Sequence, residues 1–333
     1  FSVFDFAQNQ YENVRVIIMK ILLINPRYRQ VISSNFPDEI DKAAVLFPPL
    51  SILYVAAFLK NESRHVVNVV DMEAENIDVF ELGNRIRKNK PEIIGLYTNT
   101  FNLLDVFLIA QKVKEIDSNI YIVLGGPHVN IYPDETMFNN NIDFLVLGEG
   151  EIVFSLLVNA LEKKLSFSNI KGIIYREGGK VIKTAPPEVI HNLDILPFPD
   201  RKIIPLERYR NTLTSSHIST TMISSRGCPY DCIFCYHANM GKGIRFRSSS
   251  NVVSEMEECV NLGIKDIFFY DEVFTLDARR TFDICNDIIK RKLKIRWSFR
   301  TRVDIVDIPM LRKLKGAGCE RIQFGVEAGT SQI

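Results

Sequence analysis

No cysteine occurs before position 228 of the 333 residues, and those present are Cys228, Cys232, Cys235, Cys259, Cys285 and Cys319. A disulfide-stapled fold is thereby excluded over most of the chain. Residues 1–18 have no basic segment leading into an apolar core, so they do not read as a secretion signal. No apolar run approaches the ~20 residues a membrane helix needs; stretches such as KILLIN and YIVLGG have strand length. Charge of one sign is not in excess, with 41 basic against 40 acidic residues and a net charge of +1. That balance speaks against a nucleic-acid-binding patch or an acidic tail. The glycine fingerprint of dinucleotide sites is missing after the first expected strand, where INPRYRQ stands, which speaks against NAD. What remains is a globular protein expected in the cytosol, where clustered cysteines mean metal more often than disulfide.

From Met19 the chain alternates short β-branched runs with longer amphipathic ones. Strands are expected at 20–25, 66–71, 92–97, 120–124 and 143–147, and helices near 50–60, 78–89, 102–116, 134–140 and 150–163. This rhythm predicts a flavodoxin-like, doubly wound (Rossmann-like) α/β domain over 19–165, with any ligand at the carboxyl ends of its strands. Residues 1–18 are left unassigned, because MKILLINP from Met19 reads like a true start. Residues 166–215 are expected to form a hairpin about Gly178–Gly179 and then an extended, proline-rich linker. From 216 to 333 a second βα rhythm predicts the first four units of a TIM-like barrel, C-terminally truncated. Such an open half-barrel is expected to be inactive or poorly stable by itself, since it exposes a sheet edge.

Chemistry is concentrated in SSRGCPYDCIFCYH, residues 224–237, where the cysteines are spaced C-x3-C-x2-C. The loop follows a strand, the end at which α/β barrels carry their chemistry. Four thiolates would close a metal site; three would leave one iron of a [4Fe–4S] cube without a protein ligand. A Cys3His zinc site using His237 is the competing reading. Cys259, Cys285 and Cys319 lie within helix or strand patterns and read as small buried hydrophobes.

CPYDCIFC resembles the signature of the radical S-adenosylmethionine (SAM) enzymes. The resemblance implies that Cys228, Cys232 and Cys235 hold the cluster, while the amine and carboxylate of SAM chelate the fourth iron. One electron then cleaves SAM to methionine and a 5′-deoxyadenosyl radical. Phe234 matches the position that packs against adenine, and Tyr236 the one whose backbone meets the adenine edge. Asp271 and Glu272, in FFYDEVFT, match the second-strand position that accepts from the SAM amine. Arg302, in FRTRVD beside Arg300, matches a recurring family arginine, and Glu327, in QFGVEAGT, matches a residue that meets polar groups of SAM.

Residues 19–165 resemble the cobalamin-binding domain that precedes many such barrels, through FPPLSILYVAAFL, GLYTNTF, LGGPHVNIYPDE and DFLVLGEGE. The resemblance implies that Pro48, Pro49 and Leu50 flank the corrin face, and that Thr98, Thr100, Gly125, Gly126 and Gly148 lie near the nucleotide tail. Residues 25–30 contain no histidine, so no protein histidine is expected to ligate cobalt. His128 is the nearest alternative, but it falls in a loop whose histidine is not an axial ligand in this resemblance. The acidic residues of GEGE, 148–151, would repel a phosphate. The function implied is SAM cleavage with cobalamin for methylation, cyclisation or rearrangement of an unidentified small-molecule or lipid-like substrate. Flavodoxin or ferredoxin would supply the electron. A non-catalytic corrinoid or metal-binding module is the alternative. An RNA methylthiotransferase would need a second cysteine triad in the first domain.

Overall fold

The computed structural model describes residues 18–28, 46–209, 218–235, 243–327 and 329–330. Its first sheet holds β1 (Lys20–Asn25), β2 (Val66–Asp71), β3 (Ile93–Tyr97), β4 (Tyr121–Gly125), β5 (Phe144–Val146), β6 (Ile173–Glu177) and β7 (Lys180–Lys183). The strand order is β2-β1-β3-β4-β5-β6-β7, and the first five strands pair in parallel. This is the doubly wound order expected, with its switch point between β1 and β3. Alternate residues of β1 face opposite ways. Ile21 and Leu23 pack under α1 (Leu50–Glu62) and, with Phe154 and Leu157, under the helix Gly150–Lys163. Leu22 and Ile24 join Ile86 and Val106, from α2 (Val79–Asn89) and α3 (Leu103–Ile116), on the other face. Each such buried aliphatic side chain contributes about 1.5–3 kcal/mol, which explains why KILLIN forms a central strand. The fourth long helix, Gly150–Lys163, is α4.

Three expectations are corrected. The helix near 134–140 is shorter and earlier, Pro133–Met137, and a second short helix, Pro127–Ile131, precedes it. Pro133 has no N–H to continue a ladder and so starts a turn of its own. The hairpin at 178–179 is not part of a separate linker: β6 pairs antiparallel with β5 and β7 with β6, extending the first sheet. The proline-rich segment is packed as well as extended. Ile190, Leu193 and Leu196 are buried against Leu50, Tyr54 and Phe58 of α1.

The second sheet contains β8 (Ser219–Met222), followed by a two-stranded ribbon of β9 (Ser225–Arg226) and β10 (Arg245–Phe246). Next come α5 (Ser249–Asn261), β11 (Asp266–Phe269), α6 (Ala278–Lys290), β12 (Arg296–Thr301), α7 (Ile308–Gly316) and β13 (Cys319–Phe324). Its order is β13-β12-β11-β8, all parallel. The three helices start at side-chain caps, in which Ser248, Asp277 and Asp307 accept from Asn251 N, Arg280 N and Met310 N. Each cap is worth about 1 kcal/mol. Ile267, Phe269, Trp297 and Phe299 pack beneath these helices, with Cys259 and Cys285 fully buried among them. Burial pushes both thiols up to about 12, as fits small hydrophobes rather than ligands.

Candidate cofactor site

The cysteine loop leaves and re-enters the fold at one place, because β9 and β10 pair antiparallel across its base. Gly227 has φ +91°, and a Cβ there would lie 2.3 Å from Gly243 O. Only glycine permits that closure. Arg280 braces both ends from α6, donating through Nε to Arg247 O and through Nη2 to Ser224 O, each at 2.8 Å. Outside this base the loop is open: Cys228 and Cys232 are half-buried, Cys235 is exposed, and Phe234 is 68% exposed.

The acidic pair divides. Asp271 is 1% exposed and accepts from Ser224 N (2.7 Å), Ser224 Oγ (2.5 Å) and Ser225 Oγ (2.6 Å). Its carboxylate is taken up in holding the strand that enters the cysteine loop. Glu272 remains exposed. Slight burial, and then the charges of Glu272, Cys232, Cys228 and Glu327, raise the Cys235 thiol. Glu327 stands just past the end of β13, exposed and at φ +49°. Arg302 spends its fork on Asp304, at 3.0 and 2.7 Å, and lays its guanidinium 4.2 Å over the Tyr230 ring. It therefore braces the loop, while Arg300 stacks over Phe268 and Tyr270 at 5.1 and 4.9 Å. Tyr236 and His237 lie outside the described residues.

Among the described residues no three His, Cys, Asp or Glu stand close enough to hold a single metal ion. Three half-buried to exposed thiols on one loop at a strand end are a donor set whose chemistry fits a cluster with one iron left open.

In the first domain a cleft of about 360 Å³ runs between the carboxyl ends of β3, β4 and β5 and helices α1 and α4. Gly95, Gly125, Gly126, Gly148 and Gly150 line it. A Cβ at Gly126, φ +117°, would lie 2.5 Å from Thr98 O. Five glycines set among mostly apolar side chains suit a planar group that needs close backbone approach. Thr98 lies behind it, fully buried and donating to Gly125 O, and Thr100 is outside it, 3.1 Å from His128 Nδ1. Leu50 belongs to the core between the domains, and Pro48 is buried beside it while Pro49 precedes α1. Phe47 reaches across to the second sheet, stacked on Phe268 at 5.9 Å and edge-on to Tyr270 at 6.1 Å. A larger hollow of about 910 Å³ lies around Ile218, Lys265 and Arg296. It sits at the amino ends of the strands, away from the cysteines, where α/β sheets do not place ligands.

Sequence reading missed the charged seam between the domains. Arg226 Nη1 binds Glu149 Oε1 at 2.7 Å, and its Nη2 binds Glu151 Oε1 at 2.5 Å. Arg245 binds Glu149 Oε2 at 2.7 Å. Burial opposes the charge on Glu149, but Arg245 and Arg226 outweigh it and hold the carboxyl below its usual value. A second set joins Glu255 of α5 to Arg201 and Arg247, and Arg247 also reaches Tyr54 Oη at 3.2 Å. The signal was present in GEGE and in the arginines of SRG and RFR: acids at a buried strand end need partners of opposite sign.

The sequence model of the B12 binding domain matches residues 40–158, and that of the radical SAM superfamily matches 222–333. An uncharacterized methyltransferase of Pyrococcus horikoshii is 33% identical over 95% of this chain and 67% of its own length. The chain belongs to the radical SAM superfamily. Within it, this radical SAM chain carries the B12-binding domain ahead of the barrel. An anaerobic magnesium-protoporphyrin IX monomethyl ester cyclase of Rubrivivax gelatinosus is 30% identical over 93% of the chain. The chain spans 56% of that relative. The radical SAM methyltransferase TsrM of Kitasatospora setae, solved with cobalamin and a [4Fe–4S] cluster, shares the fold. Its TM-score is 0.73 at 17% identity, over 95% of this chain and 60% of that one. Among the described residues no helix is long and apolar enough to cross a membrane.

Proposed function

We propose that this chain carries the cofactor sites of a cobalamin-dependent radical SAM enzyme that methylates or cyclises a small-molecule or lipid-like substrate. The observation that carries the reading is the shared boundary of the two sites. Ile223 and Arg226, on the segment entering the cysteine loop, also line the glycine cleft of the first domain. Cys228, Cys232 and Cys235 would hold the cluster, and Glu272 and Glu327 would meet the polar groups of SAM. Gly125, Gly126 and Gly148 would admit the nucleotide tail of cobalamin. A bound [4Fe–4S] cluster supplies the electron that cleaves SAM, so the cofactors carry the hard chemistry. The protein's own residues orient them: Asp271 and Arg280 fix the base of the loop, Arg302 stacks on Tyr230, and Phe47 packs on Phe268 and Tyr270 between the domains. Flavodoxin or ferredoxin is the expected donor, and the cytosol the expected compartment.

The test is anaerobic reconstitution of the full-length protein with iron and sulfide, followed by assay of 5′-deoxyadenosine from SAM under reduction. Cys232→Ser should lower that product by about 100-fold or more, at least the upper end of what losing a supporting ligand costs. Zinc in place of iron, or equal product from the variant, would overturn the reading.

A further inference from the structure

We propose that Arg226 is a positioning residue that couples the occupant of the first domain's cleft to the cysteine loop. This rests on the reading that the cleft takes cobalamin and the loop a cluster. Arg226 stands two residues before Cys228, on one strand of the ribbon that closes the loop. Its guanidinium does not point toward the loop. It reaches into the first domain, where it holds Glu149, the N-cap of α4, and Glu151 in the first turn of that helix, and lies 5.4 Å over the Tyr54 ring. Arg245, on the opposite strand of the same ribbon, holds the other oxygen of Glu149 and also donates to Ile190 O at 2.6 Å. Glu149 accepts from Ile190 N at 2.7 Å as well. Both strands at the loop's base are thus tied to the one turn, 148–151, that forms a wall of the cleft.

These side chains are between 6% and 13% exposed. Two arginines against two glutamates balance in charge, which is what lets such a set persist away from water. A group seated against Gly148 and Gly150 restricts where the two carboxylates can stand. Through Arg226 and Arg245, that restriction fixes the separation and twist of β9 and β10, and so the mouth from which the thiols project. Coupling of this kind is reciprocal: if a filled cleft favours the cluster-bearing arrangement, a loaded loop must tighten the cleft by the same factor.

The full-length protein is titrated anaerobically with hydroxocobalamin, followed by absorbance, once with the loop free of iron and once after cluster reconstitution. In the wild type the two dissociation constants should differ by about fivefold or more, the lower range for coupled sites. Arg226→Gln should bring the ratio to about one. A purely structural role would weaken both titrations alike and leave the ratio where it was. Glu151→Gln, which keeps the bond from Arg226 to Glu149, should give an intermediate ratio, and it decides the matter if Arg226→Gln does not fold. A wild-type ratio of one, or a ratio retained in both variants, overturns the coupling while leaving the proposed function in place. Failure of the wild type to bind hydroxocobalamin at all overturns both.

Discussion

The two sheets share a βα rhythm, yet the first is sealed on both faces and the second on one. In the first domain, each face of β1 has its own apolar core beneath a pair of helices. In the second, Phe269, Trp297 and Phe299 pack under helices, whereas the opposite face presents Phe268, Tyr270 and Arg300 to Phe47 of the first domain. Buried arginines follow the same division. Arg201, Arg226, Arg247 and Arg280 all lie in or against the second domain, whereas the buried charges of the first are the carboxylates Asp71, Asp105, Glu149 and Glu151, the last two facing the seam. The first domain therefore owes its stability chiefly to apolar burial, and the second owes more to how it docks. The seam between them is where polar groups are held in fixed positions, and the thiol loop rises from that seam.

The sharpest way to break this contrast is at Glu255, whose two oxygens hold Arg201 at 2.7 Å and Arg247 at 2.5 Å. Glu255→Ala leaves two arginines buried without their carboxylate, which costs about 3–5 kcal/mol. Denaturant unfolding should show that loss in the second domain, while the first domain's transition stays in place. One cooperative transition moving as a whole would mean that the two regions are not separate in stability.

Much of this was legible in the sequence, and the exceptions share a cause. Strands such as KILLIN and helices such as 103–116 follow from local periodicity, which needs no knowledge of partners. The cysteine spacing lies within one loop and is legible for the same reason. The destination of Asp271 was not: a carboxylate beside another at a strand end reads as a matched pair, and only the register of β8 against β11 places Ser224 and Ser225 over one of them. Glu149 and Arg226 are separated by 77 residues, and no local pattern connects them. The proline-rich segment misled in the same way, because its packing surface on α1 is supplied from a distant part of the chain.

A smaller effect is expected within the first domain, at Gly126. Gly126→Ala would bring a Cβ to 2.5 Å from Thr98 O at φ +117°, for a cost of about 1–3 kcal/mol of backbone strain. Because the first domain is sealed, that strain should appear as a lower midpoint of its own transition and as weaker hydroxocobalamin binding. The second domain's transition should stay fixed. Unchanged binding would remove Gly126 from the cofactor cleft.

The smallest effect is read by pH at the seam between the two regions. Burial raises the carboxyls of Asp71 and Asp271, so their cost is present above the raised folded value and fades as pH falls. Glu255 and Glu149 have the opposite sign. Burial again works against their charge, but Arg247 with Arg201, and Arg245 with Arg226, outweigh it and hold both below the ordinary value of 4.5. Their stabilisation is therefore complete above the unfolded value and is lost as pH falls through the depressed folded value, at a limiting slope of about 1.4 kcal/mol per pH unit for each group. Below pH 4.5 the seam that Glu149 and Glu255 hold, one from each domain, should consequently weaken, and the docked second domain with it. Glu255→Gln removes one of the two titrating groups from the seam, and the acid limb of the second domain's unfolding midpoint should become shallower by up to that single-group slope. An acid limb of unchanged steepness in the variant would show that the seam glutamates are not what makes the docked domain acid-sensitive.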